Sequence, residues 1–165
     1  MAATNNMFPN LTSVLNDFGK FLVDEYKDNL TLNDKNASDN LYNSVSYVID
    51  NKTKGRIEVK LQLLEYWKYI ENGRKAGKMP PISAIKQWIE IKPVLPRPMA
   101  NGKLPTTNQL AFLIARKIGL EGIKPQPLLQ QSIDDVMGVM MEFIEDAIMK
   151  DLGTQMDMIY KEVGL

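Results

Sequence analysis

The sequence predicts an α+β fold: an N-terminal helix, an antiparallel β-hairpin or small sheet packed against several helices, and a long C-terminal helix. Three observations lead there. Apolar residues recur at three-four spacing from Leu11 to Leu22 and again from Leu129 to Ile148. Between them, residues 41–50 and 57–63 alternate apolar and polar side chains. Proline- and glycine-rich stretches then separate shorter helical patterns. A length of 165 residues, 44% hydrophobic and 24% charged, suits one folded domain with a buried core. We expect a single domain over 1–165, its core roughly 8–152, with 153–165 as a short C-terminal helical extension.

Pro9-Asn10-Leu11-Thr12 reads as a helix start, proline being tolerated in a first turn. Leu11, Val14, Leu15, Phe18, Phe21 and Leu22 form its apolar face, and the Asn/Asp-rich segment 33–40 ends it. Leu41, Val45, Tyr47 and Ile49 then alternate with polar neighbours, as do Ile57, Val59, Leu61 and Leu63. Two half-buried strands follow from that period, joined through Asn51–Arg56 with Gly55. A hairpin alone is marginal in water, so it must pack on helices or pair at its edges.

Ser83 is placed to cap a helix over 83–91, and Thr106 or Thr107 a helix over 106–118 with Gly119 at its C-terminal end. Residues 93–105, with prolines at 93, 96, 98 and 105, form an extended connector, and Ile123–Pro127 a second. The last helix begins near Pro127, and Gly153 is expected to break it, with Thr154 capping a terminal piece.

Composition limits the chemistry. With no Cys and no His, the chain lacks disulfides, thiolate nucleophiles, the usual zinc ligands and the commonest general base. Only Lys remains to activate a Ser or Thr hydroxyl. Asp134 and Asp135 diverge by about 100° on a helix, so they and Glu142, Glu145 and Asp146 read as a solvated acidic face rather than a metal site. Gly73–Met79 lacks the first glycine and the hydroxyl of a phosphate loop. We therefore expect no enzyme, no cofactor and no metal. No apolar run reaches the ~18 residues of a membrane span, and the first ten residues carry no secretion signal.

Net charge is zero but segregated. Residues 1–50 hold three basic and seven acidic side chains, 51–103 twelve and four, and 132–165 two and eight. A basic middle between acidic ends lets one copy's centre face another copy's end, or the C-terminal helix pair with its own chain.

Residues 66–88 combine both tryptophans, two tyrosines, a Gly- and Lys-rich loop and Pro80-Pro81. Trp67 and Trp88 read as core. Tyr66 and Tyr69 suit either core or an interface, where aromatics and Arg concentrate. Lys52, Lys54 and Arg56 of the hairpin loop, with Arg74, Lys75 and Lys78, can meet a polyanion backbone or serve solubility alone. Two short helices, 83–91 and 106–118, also invite a helix-turn-helix DNA-binding reading, which their proline-filled connector opposes. Met141 and Met149 lie off the main stripe of the last helix, which suits a second buried face against another chain.

The order L-Y-N-S-V-S-Y-V-I-D (41–50), Y-W-K-Y-I-E-N-G-R (66–74), P-P-I-S-A-I-K-Q-W (80–88), L-A-F-L-I-A-R-K-I (110–118) and G-I-K-P-Q-P-L-L-Q-Q-S-I (122–133) resembles tailed-bacteriophage neck and tail-completion proteins of the tail-terminator-like fold. The resemblance covers about residues 8–133. The connector at 93–105 and the Met-rich C-terminal helix depart from it. It implies a virion structural protein of the head-tail connector, assembled in the host cytoplasm as a homo-oligomeric ring. Portal or adaptor rings and tail proteins would flank it, and packaged DNA would pass through with non-specific contacts. Tyr47, Tyr66, Tyr69, Glu71, Arg74, Lys78, Pro80 and Pro81 are then the expected assembly interface, and Lys52, Lys54, Arg56 and Lys75 the basic residues facing the DNA channel or an adjacent ring.

Overall fold

The structure, a computed structural model, describes residues 7–35, 39–51, 53, 55–92, 94–100 and 102–164. The chain is α+β. Its elements are α1 (Pro9–Leu32), α2 (Asn40–Ser44), β1 (Ser46–Asp50), β2 (Glu58–Gln62), α3 (Trp67–Glu71), α4 (Ile82–Ile91), α5 (Thr107–Glu121) and α6 (Leu128–Val163). They group into two compact units. One comprises the residues up to Asn29, Ser44–Leu63 and those from Leu129 on; the other comprises Leu30–Asn43 and Leu64–Leu128.

In the first unit, the three-four stripe of α1 does what its spacing predicts. Phe18 and Leu22 are buried against Val136 and Met140 of α6, and Val59 and Leu61 of β2 pack on the same cluster. β1 and β2 pair antiparallel with Tyr47 opposite Leu61 and Ile49 opposite Val59. That register turns Tyr47, Ile49, Val59 and Leu61 to one face. Lys60 on the other face pairs with both Asp50 and Glu58, and Arg56 pairs with Glu58. These contacts raise the Lys60 pKa, Asp50 contributing most, and lower that of Glu58, where the Lys60 hydrogen bond is foremost. The Tyr47 ring lies against Gly19, where a Cβ would sit 2.4 Å from the ring, and its hydroxyl donates to Asn16 Oδ1 at 3.0 Å.

The start of α1 is closed from α6. Asp151 accepts from the Asn10 amide (3.1 Å), the Asn10 side chain (2.7 Å) and the Leu11 amide (2.8 Å). One turn on, Gln155 Nε2 donates to the Met7 carbonyl at 3.1 Å. A carboxylate here satisfies donors that a helix cannot satisfy itself and complements the positive end of its dipole. Burial pushes the Asp151 pKa up, but the hydrogen bonds from Leu11 and Asn10 outweigh it and hold the group below its ordinary value.

The same clamp explains one departure from expectation. α6 runs unbroken for 36 residues through Gly153. Asp151 and Gln155 are each fastened to the start of α1, so the turn between them is held, and a helical glycine weighs only about 1 kcal/mol against that. Thr154 caps nothing; its hydroxyl donates to the Lys150 carbonyl at 3.0 Å.

The other departures lie in the segments between α1 and α6. Residues 40–44 are helical, not the start of a strand. Leu41 and Val45 are both buried, and a spacing of four fits a helix face as well as a strand face. Asp39, at φ 51°, opens this turn by accepting from the Asn43 amide at 2.8 Å. α4 begins one residue before the expected cap, at Ile82 behind Pro81, with Ser83 inside its first turn and no side-chain cap. α5 starts as expected, on a reciprocal capping box between Thr106 and Gln109. It ends not at Gly119 but at Gly122, whose φ of 75° requires the freedom of glycine. Gly119 stays within the helix and makes room for Met79, since a Cβ there would come within 2.7 Å of Met79 Cγ.

Candidate functional site

Within the second unit, five residues of helix α3 set the aromatic cluster. Trp67 and Ile70, three apart, are half-buried, while Tyr66 and Tyr69 form the neighbouring stripe and are exposed, Tyr69 at 61%. Trp88, expected in the core, sits on the outward side of α4 at 37% exposure. The reason lies in what these three rings border.

Tyr66, Tyr69 and Trp88 line an open cleft of about 480 Å³, with Ile70, Ile85, Ile114 and Ile118 as its apolar wall. Its polar lining is Asp34, Lys35, Lys92, Lys124 and Gln126. Asp34 takes its place because it ends α1 in a left-handed turn: its φ is 54°, and the Lys35 amide donates to Leu30 O at 2.8 Å behind it. Lys92, just past α4, pairs with the Asp34 carboxylate and donates to its carbonyl at 2.7 Å. A mostly apolar concavity with a few polar groups, of this size, is the usual form of a binding site.

The basic loop after α3 is pinned beside it. Arg74 and Ile123 exchange backbone hydrogen bonds at 2.9 and 2.8 Å, Gly77 N–H donates to Gly119 O at 2.7 Å, and Gln126 N–H to Ile70 O at 2.8 Å. The two strands of chain cross so closely that a Cβ at Gly73 would lie 2.3 Å from Ile123 O, and one at Gly122 2.2 Å from Arg74 O. The Arg74 guanidinium closes the loop by donating to Lys78 O at 2.7 Å.

The expected interface residues therefore divide. Tyr66, Tyr69 and Pro81 are exposed, as are the loop lysines Lys75 and Lys78. Glu71 is half-buried and Pro80 buried. Arg74 serves its own loop, and Tyr47, in the first unit, packs on α1. Arg56, also in the first unit, has its charge paired with Glu58. Lys52 and Lys54 lie outside the described residues. The cleft itself draws on Asp34, Ile85, Trp88, Lys92, Ile114 and Ile118, which sequence reasoning assigned to loop, core or separate helices. Helices α4 and α5 are joined by residues 92–106, and of the two basic residues late in α5, Lys117 pairs loosely with Glu121 at 3.8 Å.

A second surface lies on α6. Met149, Leu152, Met156, Ile159 and Val163 repeat at three-four spacing and all are exposed, Met149 at 69% and Val163 at 66%. Taken at 100° per residue, they sit opposite Val136, Met140 and Ala147, which face the core. The last four turns thus carry an apolar stripe on their outward side.

Among the described residues no three acidic side chains gather where they could hold a metal ion, and no helix is long and apolar enough to cross a membrane. No protein-family model, curated protein or solved structure matches the chain significantly.

Proposed function

We propose that this chain is a non-enzymatic structural protein that works by assembling with copies of itself, as a ring in the head-tail connector of a tailed phage. The observation that carries the reading is the outward apolar face of α6. A contiguous exposed apolar stripe of this length marks a surface that another chain covers. The three-four spacing of Met149, Leu152, Met156, Ile159 and Val163 is the geometry that packs against another helix. About 21 Å of helix carries it. Zero net charge leaves no overall repulsion between copies.

Two further observations support assembly. The sheet has only β1 and β2, so each strand keeps an edge that no other described strand pairs with. And the exposed side chains Tyr66 and Tyr69 border an open, mostly apolar cleft. The phage assignment rests on the sequence resemblance, and the apolar surfaces are what a ring subunit needs.

The test is electron cryo-microscopy of particles from a phage lacking the gene. Filled heads without joined tails, and loss of a density ring at the neck, are expected. Normally joined particles with an unchanged neck would overturn the assignment.

A further inference from the structure

We propose that the outward apolar stripe of α6 in one copy docks in the Tyr66/Tyr69/Trp88 cleft of the next copy, helix in groove and head to tail; this rests on the self-assembly reading and names its contact. The stripe has the spacing for it. Helices that lie in grooves anchor through residues at i, i+3 or i+4, and i+7. Met149, Leu152 and Met156 occupy those positions, and Ile159 and Val163 continue the row. All five are exposed in the single chain. The groove suits them in turn. Tyr66, Tyr69 and Trp88 supply three rings, with Ile85 of α4 and Ile114 and Ile118 of α5 behind them. Methionine fits such a wall, because its unbranched thioether fills irregular gaps and its sulfur makes favourable contacts with aromatic rings.

Charge selects this occupant. The cleft's lining holds three lysines against one carboxylate. Lys92 is taken by Asp34, while Lys35 and Lys124 have no carboxylate partner among the described residues. A surface that complements it is apolar along its middle and acidic beside. The C-terminal helix has that form, since residues 132–165 hold two basic and eight acidic side chains. Taken at 100° per residue, Glu145 falls in line with the stripe, one turn ahead of Met149, and Asp157 and Glu162 stand on its two shoulders, about 100–120° from its centre. Lys150 and Lys161 fall farther round, about 140–160° from it, and Lys150 is paired with Asp146 at 3.1 Å. Two α6 faces meeting would set acidic shoulders together, whereas the cleft sets lysines beside them. Helix face and cleft are different surfaces of one molecule, so the contact is heterologous. Repeated contacts of that kind close into rings when the rotation per copy divides a full turn.

Sedimentation velocity on the full chain tests the contact. It is run at low and high salt on the wild type, on Met156→Asp, on Tyr69→Asp, on an equal mixture of those two variants, and on Lys124→Glu. Wild type is expected to self-associate, more weakly as salt rises. Met156→Asp and Tyr69→Asp are each expected to associate at least about 30-fold more weakly, the scale of losing an interface anchor. Their mixture should recover dimers and no more, because it offers one intact stripe and one intact cleft. Lys124→Glu turns an attraction into a repulsion and should weaken association about 5-fold at low salt and less at high salt. All three positions are exposed, so each variant should melt within about 2 °C of wild type. Association left unchanged by Tyr69→Asp or by Lys124→Glu would overturn this contact while leaving self-assembly through α6 standing, which is the result that pairing of α6 with α6 would give. A mixture that associates no better than its separate components would overturn it as well. A wild type that stays monomeric at high concentration would overturn both the contact and the self-assembly reading.

Discussion

Replacing Asp151 with Ala removes the carboxylate that closes the first turn of α1, and its effect can be worked from the three hydrogen bonds it accepts. Hydrogen bonds to a charged group contribute about 1.5–3 kcal/mol, and loss of a helix N-cap about 0.5–2 kcal/mol. The amides of Asn10 and Leu11 are at a site that is exposed to half-buried, so water takes over part of the role. We expect a loss of about 2–3 kcal/mol, which lowers Tm by about 5–10 °C for a chain of this size. Asp151→Asn keeps one acceptor but loses the charge at the helix end, and should fall about halfway. The pH dependence has a definite sign. The pKa of Asp151 is lower folded than unfolded, so its stabilisation is complete above the ordinary value of about 3.9 and is lost as pH falls through the depressed one. Melting curves followed by circular dichroism at pH 7 and in acid should therefore show the wild type and Asp151→Ala converging at low pH. A Tm difference of less than about 2 °C at pH 7, or one that persists undiminished in acid, would refute the cap as the source of stability.

Gly122→Ala should be severe, losing more than about 3 kcal/mol, because it adds a left-handed backbone penalty to a Cβ 2.2 Å from Arg74 O; a normal melt would contradict the close crossing there. Gly153→Ala should stabilise by about 1 kcal/mol, since a Cβ there meets nothing and the helix is continuous; a loss of stability would mean that the helix is broken at that point after all. The pair Leu152→Asp and Ile159→Asp should leave the melt within about 2 °C of wild type, as both are exposed, while abolishing self-association in light scattering; unchanged association would remove the α6 face from the interface.

Much of the fold was legible because it follows periods. The stripe Val14–Phe18–Leu22 and the alternation Val59–Lys60–Leu61 each match one regular element, and both are found. Residues 41–44 were not legible as a helix, since Leu41 and Val45 satisfy both periods at once. The apolar seam of α6 was in plain sight as a three-four repeat, but the expected break at Gly153 cut it in two. What keeps the helix whole is a pair of bonds from Asp151 and Gln155 to residues more than 140 positions away, which no local pattern carries. The cleft was harder still. Tyr66 and Tyr69 stood out by composition, yet the wall is assembled from residues between Asp34 and Gln126 that only the tertiary packing of α4 on α5 and the crossing at Arg74 and Ile123 bring together.

The bond between Asp151 and the opening turn of α1 also sets a timetable for biogenesis. A ribosome exposes Asn10 and Leu11 long before it makes the carboxylate that completes their helix, a delay on the order of ten seconds at ordinary elongation speeds. During that interval the greasy side of the newborn helix, with Phe18 and Leu22 on it, has no Val136 or Met140 to shelter against. Until Val136 and Met140 emerge, that face is open to premature association, so the pairing of α1 with α6 is a late step in the folding of this segment.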